Sequence, residues 1–134
     1  MNASAKVGLV GCGYWGKNLC RNFKSLGALG MVVDSTQSGK ETATELAPGV
    51  PVSSSFDDVL GDDSIHAVAL ATPAETHAAL SIKAMEAGKD VFVEKPMALN
   101  LEDADRMREF AEREGRVLMV GHLLEYHPAV LKLR

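Results

Sequence analysis

Three short stretches of this 134-residue chain combine residue types at spacings that could do chemistry. In Gly11-Cys12-Gly13-Tyr14-Trp15-Gly16 the glycines fall at the first, third and sixth places. A chain turning sharply from a strand into a helix uses the first glycine for the turn, the second to leave room for a phosphate, and the third to let helix and strand approach. A helix that starts there presents unpaired amides to negative charge. Asp34, 23 residues beyond Gly11, places a carboxylate where it can accept bonds from the ribose hydroxyls of an adenosine. Together these point to a dinucleotide site, with Gly11, Gly13, Tyr14, Trp15, Gly16 and Asp34 as its first residues. A carboxylate at that place repels a 2′-phosphate, so NAD is expected over NADP, although Ser35, Thr36 and Lys40 keep the phosphorylated cofactor open.

The other two stretches are Thr72-Pro73 with His77, and Glu94-Lys95-Pro96 followed later by Gly121-His122. Thr72 and Pro73 read both as a helix start and as cofactor contacts, and the two roles are compatible. His77 has a structural and a functional reading, the structural one being the simpler. A Glu-Lys pair is often only a solvated surface feature. At the end of a strand, with Pro96 restricting its loop, the pair Glu94-Lys95 instead points into a ligand cleft. The Lys95 ammonium could hold a hydroxyl or help its proton move while the carbon beside it loses hydride. His122 is a second candidate for the reacting end. The spacing of His122, Glu125 and His127 is not that of a His-x-x-x-His zinc helix, so no metal site is expected.

These residues need a frame that brings them to one edge. Apolar runs at 6–10, 31–34, 50–52, 65–71, 91–93 and 117–120 read as six strands, continuous enough to be buried on both faces. Between them, helical spacing is expected from Trp15 through Leu26, from Lys40 to Ala47, from Thr72 to Ala87 and from Asn100 to Gly115. Ser55 is expected to cap a brief turn with Asp58 returning the bond, and Thr72 to cap the helix whose Ala79, Ile82 and Met85 face the sheet. Asn100 is expected to cap a helix stapled by Leu99, with Leu101, Ala104, Met107, Phe110 and Ala111 as its apolar stripe. Strand and helix alternation of this kind folds as one doubly wound α/β domain with a mostly parallel six-stranded sheet, the Rossmann arrangement.

Composition excludes several classes. With 14 basic and 18 acidic residues the net charge is −4, and no Lys/Arg cluster offers a nucleic-acid surface. Every apolar run is far shorter than the roughly 20 residues that span a bilayer, and Met1 to Lys6 has no signal-peptide pattern. A cytoplasmic setting without membrane or nucleic-acid partners is expected, with Cys12 and Cys20 as free thiols.

Taken together, the glycine-rich turn, Ala71-Thr72-Pro73 with His77, Val93-Glu94-Lys95-Pro96 and Gly121-His122 closely resemble the glucose-fructose oxidoreductase, inositol dehydrogenase and rhizopine-catabolism family. The stretches 13–19 and 121–128 most resemble its branch that oxidises the 3-hydroxyl of UDP-linked N-acetylated amino sugars or their uronic acids. The resemblance implies that Lys95 is the substrate-side lysine, that the Lys95-Pro96 bond is cis, that Glu94, Thr72 and Pro73 line the cofactor, and that His122 lies near the nicotinamide. It also implies residues 1–125 as the NAD-binding domain, and 126–134 as the start of a helix leading to a C-terminal substrate and oligomerisation domain absent from these residues. The full-length protein is then expected to be a homo-oligomer acting on a nucleotide sugar.

Overall fold

The computed structural model describes residues 4–133, so the expectation about the first residues of the chain lies partly outside the described residues. Six parallel strands stand in the order β3-β2-β1-β4-β5-β6. They are β1 (Lys6–Val10), β2 (Leu29–Val33), β3 (Val52–Ser53), β4 (Ile65–Leu70), β5 (Asp90–Glu94) and β6 (Leu118–Gly121). The helices are α1 (Gly16–Ser25), α2 (Gln37–Leu46), α3 (Phe56–Leu60), α4 (His77–Glu86), α5 (Leu101–Glu114) and α6 (Pro128–Leu131). This is the doubly wound fold expected from the sequence. Its chain leaves β1 for β2 and β3 on one side, then crosses back to β4 on the other, so a crevice opens beyond the ends of β1 and β4.

The continuous apolar runs follow from having two cores. Leu9, Val32 and Ala69 pack with Cys12, Cys20, Ala43 and Ala47 in the layer that α1 and α2 cover. Their strand neighbours Val10, Val33, Val68 and Leu70 pack on the opposite face with Ala78, Ala84, Met85, Met107 and Ala111. Successive side chains point to opposite faces, and both faces are dry, so both must be apolar. Leu9 and Val68 are fully buried, each contributing about 1.5–3 kcal/mol of burial. Among the described residues no helix is long and apolar enough to cross a membrane.

Several local expectations are corrected. β2 begins at Leu29, before Gly30, and α2 begins at Gln37 because Thr36 caps it, its hydroxyl accepting from the Gly39 amide at 3.0 Å. Pro51 precedes β3, which lies at the sheet edge as read, and its carbonyl accepts from the Val32 amide. Ser55 makes no capping bond with its side chain; Ser53 takes that place, its hydroxyl bonded to Asp58 and accepting from the Ser55 amide. Thr72 does not cap α4 either. A 3₁₀ turn over Ala74–Thr76 intervenes, and the Thr72 hydroxyl pairs with that of Thr76 at 2.7 Å. On α4 the buried stripe is His77, Ala78, Ser81, Ala84 and Met85, leaving Ala79 exposed, because the 3₁₀ turn rotates the helix entry. Asn100 does cap α5, accepting from the Asp103 amide at 2.8 Å. Leu99 and Leu101, however, are exposed, so the stripe narrows to Met107 and Ala111, with Phe110 partly buried against the same core. His127 caps α6, accepting from the Ala129 amide at 3.2 Å, within the stretch 126–134 read as the start of a helix.

Candidate functional site

The glycine-rich turn is built as the spacing requires. Gly11 has φ +92°, and a Cβ there would come within 2.6 Å of the Ala71 carbonyl oxygen, so the turn admits only glycine. A Cβ on Gly16 would overlap the Gly11 carbonyl oxygen, which is how α1 sits down on β1. Gly13 differs: a Cβ there meets nothing, and its absence keeps open a space that a pyrophosphate would fill. The amides of Gly13, Tyr14, Trp15 and Gly16 donate to no acceptor among the described residues, and α1 has no acidic residue in its first turn to take them. Free amides at the start of a ten-residue helix fit a dinucleotide's phosphates.

Asp34 stands just beyond β2 and is wired to that turn. Its Oδ2 accepts from the Cys12 amide at 2.8 Å, and its Oδ1 from the Thr36 amide at 2.8 Å and the Thr36 hydroxyl at 2.7 Å. Burial by itself would raise this carboxyl, but the bonds from Cys12 and Thr36, with the charge of Lys40, hold it below the usual carboxylate range. A carboxylate has about four acceptor positions. Three are filled, and the remaining one is on Oδ2. Lys40 itself is bonded to the Ser54 hydroxyl at 3.0 Å.

At the same edge lies an open cleft of ≈ 690 Å³ lined by Tyr14, Trp15, Ala71, Thr72, Glu94, Lys95, Gly121, His122, Leu123, Leu124, Glu125 and Val130. The ends of β4, β5 and β6 thus bring Thr72, Glu94, Lys95 and His122 together with Tyr14 and Trp15. Lys95 is exposed and has no hydrogen-bond or ion-pair partner among the described residues, so its ammonium is available to a ligand. Glu94 pairs with Gly121 across the β5–β6 ladder, and a Cβ on Gly121 would come within 2.9 Å of Glu94 Oε1. The Lys95-Pro96 bond is cis.

His77, Pro73, Gly11, Gly13 and Asp34 do not line this cleft. His77 is only 1% exposed, as its structural reading requires, and stands behind Thr72 of the cleft wall. Its Nε2 lies 2.9 Å from the Thr72 carbonyl oxygen and its Nδ1 2.7 Å from that of Pro96. A carbonyl oxygen only accepts and each imidazole tautomer carries one N–H, so the ring donates to one of these carbonyls while its other nitrogen lies against the second, between the loop after β4 and the loop after β5. Cys12 and Cys20 are both free and buried. Burial, and then the neighbouring Cys20, pushes the Cys12 thiol up to about 12, so Cys12 acts as a core residue whose amide, not its sulfur, serves the site. Among the described residues no group of three or more His, Cys, Asp or Glu could hold a metal ion.

The sequence did not single out Gly39 or the Cys12 amide. It also missed the share of Leu123, Leu124 and Val130 in the cleft wall. Leu123 and Leu124 reach the cleft from a 3₁₀ turn over Leu123–Tyr126, and Val130 from α6.

The comparisons agree with this geometry. Residues 5–122 match the oxidoreductase family described as having an NAD-binding Rossmann fold. The chain is 33% identical over 131 residues to a UDP-N-acetylglucosamine 3-dehydrogenase from Acidithiobacillus ferrooxidans, covering 96% of this chain and 40% of that protein. A solved structure of the Acidithiobacillus ferrooxidans enzyme superposes with a TM-score of 0.87 at 32% identity, over 96% of this chain and 40% of the other. Inositol 2-dehydrogenase 1 from Saccharopolyspora erythraea is 31% identical over 136 residues, 98% of this chain and 40% of its own length. A 3-ketoreductase from Actinomadura kijaniata, solved with TDP-benzene and NADP, superposes with a TM-score of 0.87 at 25% identity over 98% of this chain and 42% of that one. The chain spans about two fifths of the length of these relatives. With a family match over most of its residues and the turn, carboxylate and cleft in place, the chain belongs to the glucose-fructose oxidoreductase, inositol dehydrogenase and rhizopine-catabolism family of oxidoreductases, as its NAD-binding Rossmann domain.

Proposed function

We propose that this chain is the NAD-binding part of a dehydrogenase that oxidises a sugar hydroxyl, the 3-hydroxyl of a UDP-linked amino sugar or its uronic acid. The observation that carries the reading is the meeting, at one sheet edge, of free helix amides with a cleft holding Glu94 and Lys95. The cofactor, when bound, supplies the hydride acceptor. The chain's own residues bind and orient: the amides of 13–16 take the pyrophosphate, Asp34 takes an adenosine-ribose hydroxyl, and Thr72 and Glu94 border the nicotinamide end. Lys95 as an ammonium holds the substrate hydroxyl by donating to its oxygen, and as the uncharged amine it takes the proton that the hydroxyl loses, with His122 lining the same cleft. The choice of a nucleotide sugar rests on the resemblance of 13–19 and 121–128 and on the relatives that act on such substrates.

A second reading follows from the share of the relatives that these residues span. By itself the 134-residue chain is a dinucleotide-binding module without turnover. Calorimetry of the chain with NAD and NADP, together with an absorbance assay on UDP-N-acetylglucosamine, tests both readings. The expected result is a saturable NAD isotherm, weaker NADP binding and no sugar oxidation. An absent NAD isotherm overturns the first reading, and turnover by the chain alone overturns the second.

A further inference from the structure

The first turn of α2 contains Gly39 at a buried position whose φ is not positive, so backbone conformation does not require glycine there. A glycine inside a helix costs about 0.5–1 kcal/mol relative to alanine. The space around it supplies the reason. A Cβ built on Gly39 would overlap the carboxyl carbon of Asp34 and both its oxygens. The carboxylate therefore occupies the volume that any other side chain at 39 would take.

We propose that Gly39 is a cofactor-specificity residue: its missing side chain is what seats the Asp34 carboxylate against the start of α2, in the one position where it recognises a free ribose hydroxyl and rejects a 2′-phosphate. This rests on the reading of Asp34 as the ribose carboxylate and extends it to a residue of α2 behind that carboxylate. In the seat, Thr36 links the two elements. Its hydroxyl donates to Asp34 Oδ1 at 2.7 Å and accepts from the Gly39 amide at 3.0 Å. The Cys12 amide fixes Oδ2 from the other side at 2.8 Å, which couples the ribose end of the site to the glycine-rich turn. The three bonds leave one acceptor position on Oδ2, which suits one hydroxyl hydrogen. They also hold a full negative charge where a phosphate would have to enter. A side chain at 39 evicts the carboxylate, breaks its bonds and frees the Cys12 and Thr36 amides to meet an anion.

The test is a calorimetric cycle on the whole chain with NAD and NADP, using the parent, Gly39→Ala, Asp34→Ala and the double variant. Gly39→Ala is expected to lower NAD affinity about tenfold while NADP affinity holds or rises. In the Asp34→Ala background the same change is expected to leave NAD affinity within twofold, since no carboxylate remains to displace. Thermal melts accompany each variant. If Gly39→Ala does not fold, Thr36→Val, which removes the linking hydroxyl without adding bulk at 39, is expected to lower the NAD-to-NADP affinity ratio at least threefold. Gly39→Ala binding NAD like the parent overturns the proposal, as does an equal loss with and without Asp34 or an unchanged ratio in Thr36→Val. A parent that binds no NAD defeats the proposed function itself, and this proposal falls with it.

Discussion

The two ends of the parallel sheet are finished in opposite ways. At the N-terminal ends of the strands, cationic side chains close the helix ends and loops: Lys6 Nζ donates to the Gly27 carbonyl at 2.7 Å, Arg116 Nη1 to that of Gly88 at 2.8 Å, and Lys24 Nζ to that of Pro48 at 3.2 Å. Lys89, itself 5% exposed, donates to the carbonyls of Asp62 and Ile65 at 2.8 and 2.7 Å. At the C-terminal ends, by contrast, the amides of 13–16 are left free, and glycines keep the space before them open. The cause is geometric. In a right-handed strand-helix-strand unit each helix runs antiparallel to the sheet, so helix carbonyls gather at one end and helix amides at the other. Lysine and arginine complement the first end permanently, while at the second Thr36 and Asn100 cap α2 and α5 and the start of α1 is left for a ligand's negative charge. Stability is invested at one edge and binding at the other.

That division can be broken variant by variant. The largest expected effect is on the closed edge: Lys89→Met keeps the apolar stem but orphans two carbonyls, and is expected to lower unfolding free energy by about 2–4 kcal/mol in a urea titration while leaving NAD affinity, measured on the folded fraction, unchanged. His77 sits at the open edge but is built like the closed one. His77→Ala is therefore expected to remove about 2–3 kcal/mol of stability, through a cavity and the lost ring hydrogen bond, and to weaken NAD binding as the Thr72 and Lys95 loops separate. A stability loss with full NAD affinity would separate the ring from the site. Gly13→Ala is the converse case. Its Cβ meets no atom, so stability should stay within about 0.5 kcal/mol, while NAD affinity falls tenfold or more, about 1.4 kcal/mol, because the methyl group enters the phosphate space.

Two smaller effects sharpen the same contrast. Arg116→Ala removes one exposed cap from the carbonyl end and is expected to cost about 0.3–1 kcal/mol, lessened by salt. For Asp34 the folded value is depressed, so its stabilising contribution is complete above the ordinary carboxylate value of about 3.9 and is lost as pH falls through the lower folded value. Acid titrations of stability should therefore show the parent losing its advantage over Asp34→Asn only below about pH 4. An advantage that persisted at lower pH, or that vanished near neutrality, would mean that the Cys12 and Thr36 bonds are not made in solution.

Much of this was legible in the sequence because it is local. Periodicity separated strands from helices. Continuous apolar runs required a sheet covered on both faces, and the spacing of Gly11, Gly13 and Gly16 with Asp34 marked the binding edge. The errors fell where two signals competed for a short segment. Thr72-Pro73 looks like a helix start, but the Thr72 hydroxyl is taken by Thr76, and Ser53 displaces Ser55 at α3.

The sequence alone determined the fold class, the turn that admits only glycine, and the edge at which Thr72, Glu94, Lys95 and His122 would gather. These depend on backbone conformation and on the order of elements, which are written along the chain. Only the tertiary structure decided that Lys89 is a buried clasp, that His77 joins two loops, and that Gly39 makes room for a carboxylate. Each of those roles is a contact between segments whose approach is set by packing. A lysine, a histidine and a glycine look the same in the sequence whether that contact is made or not.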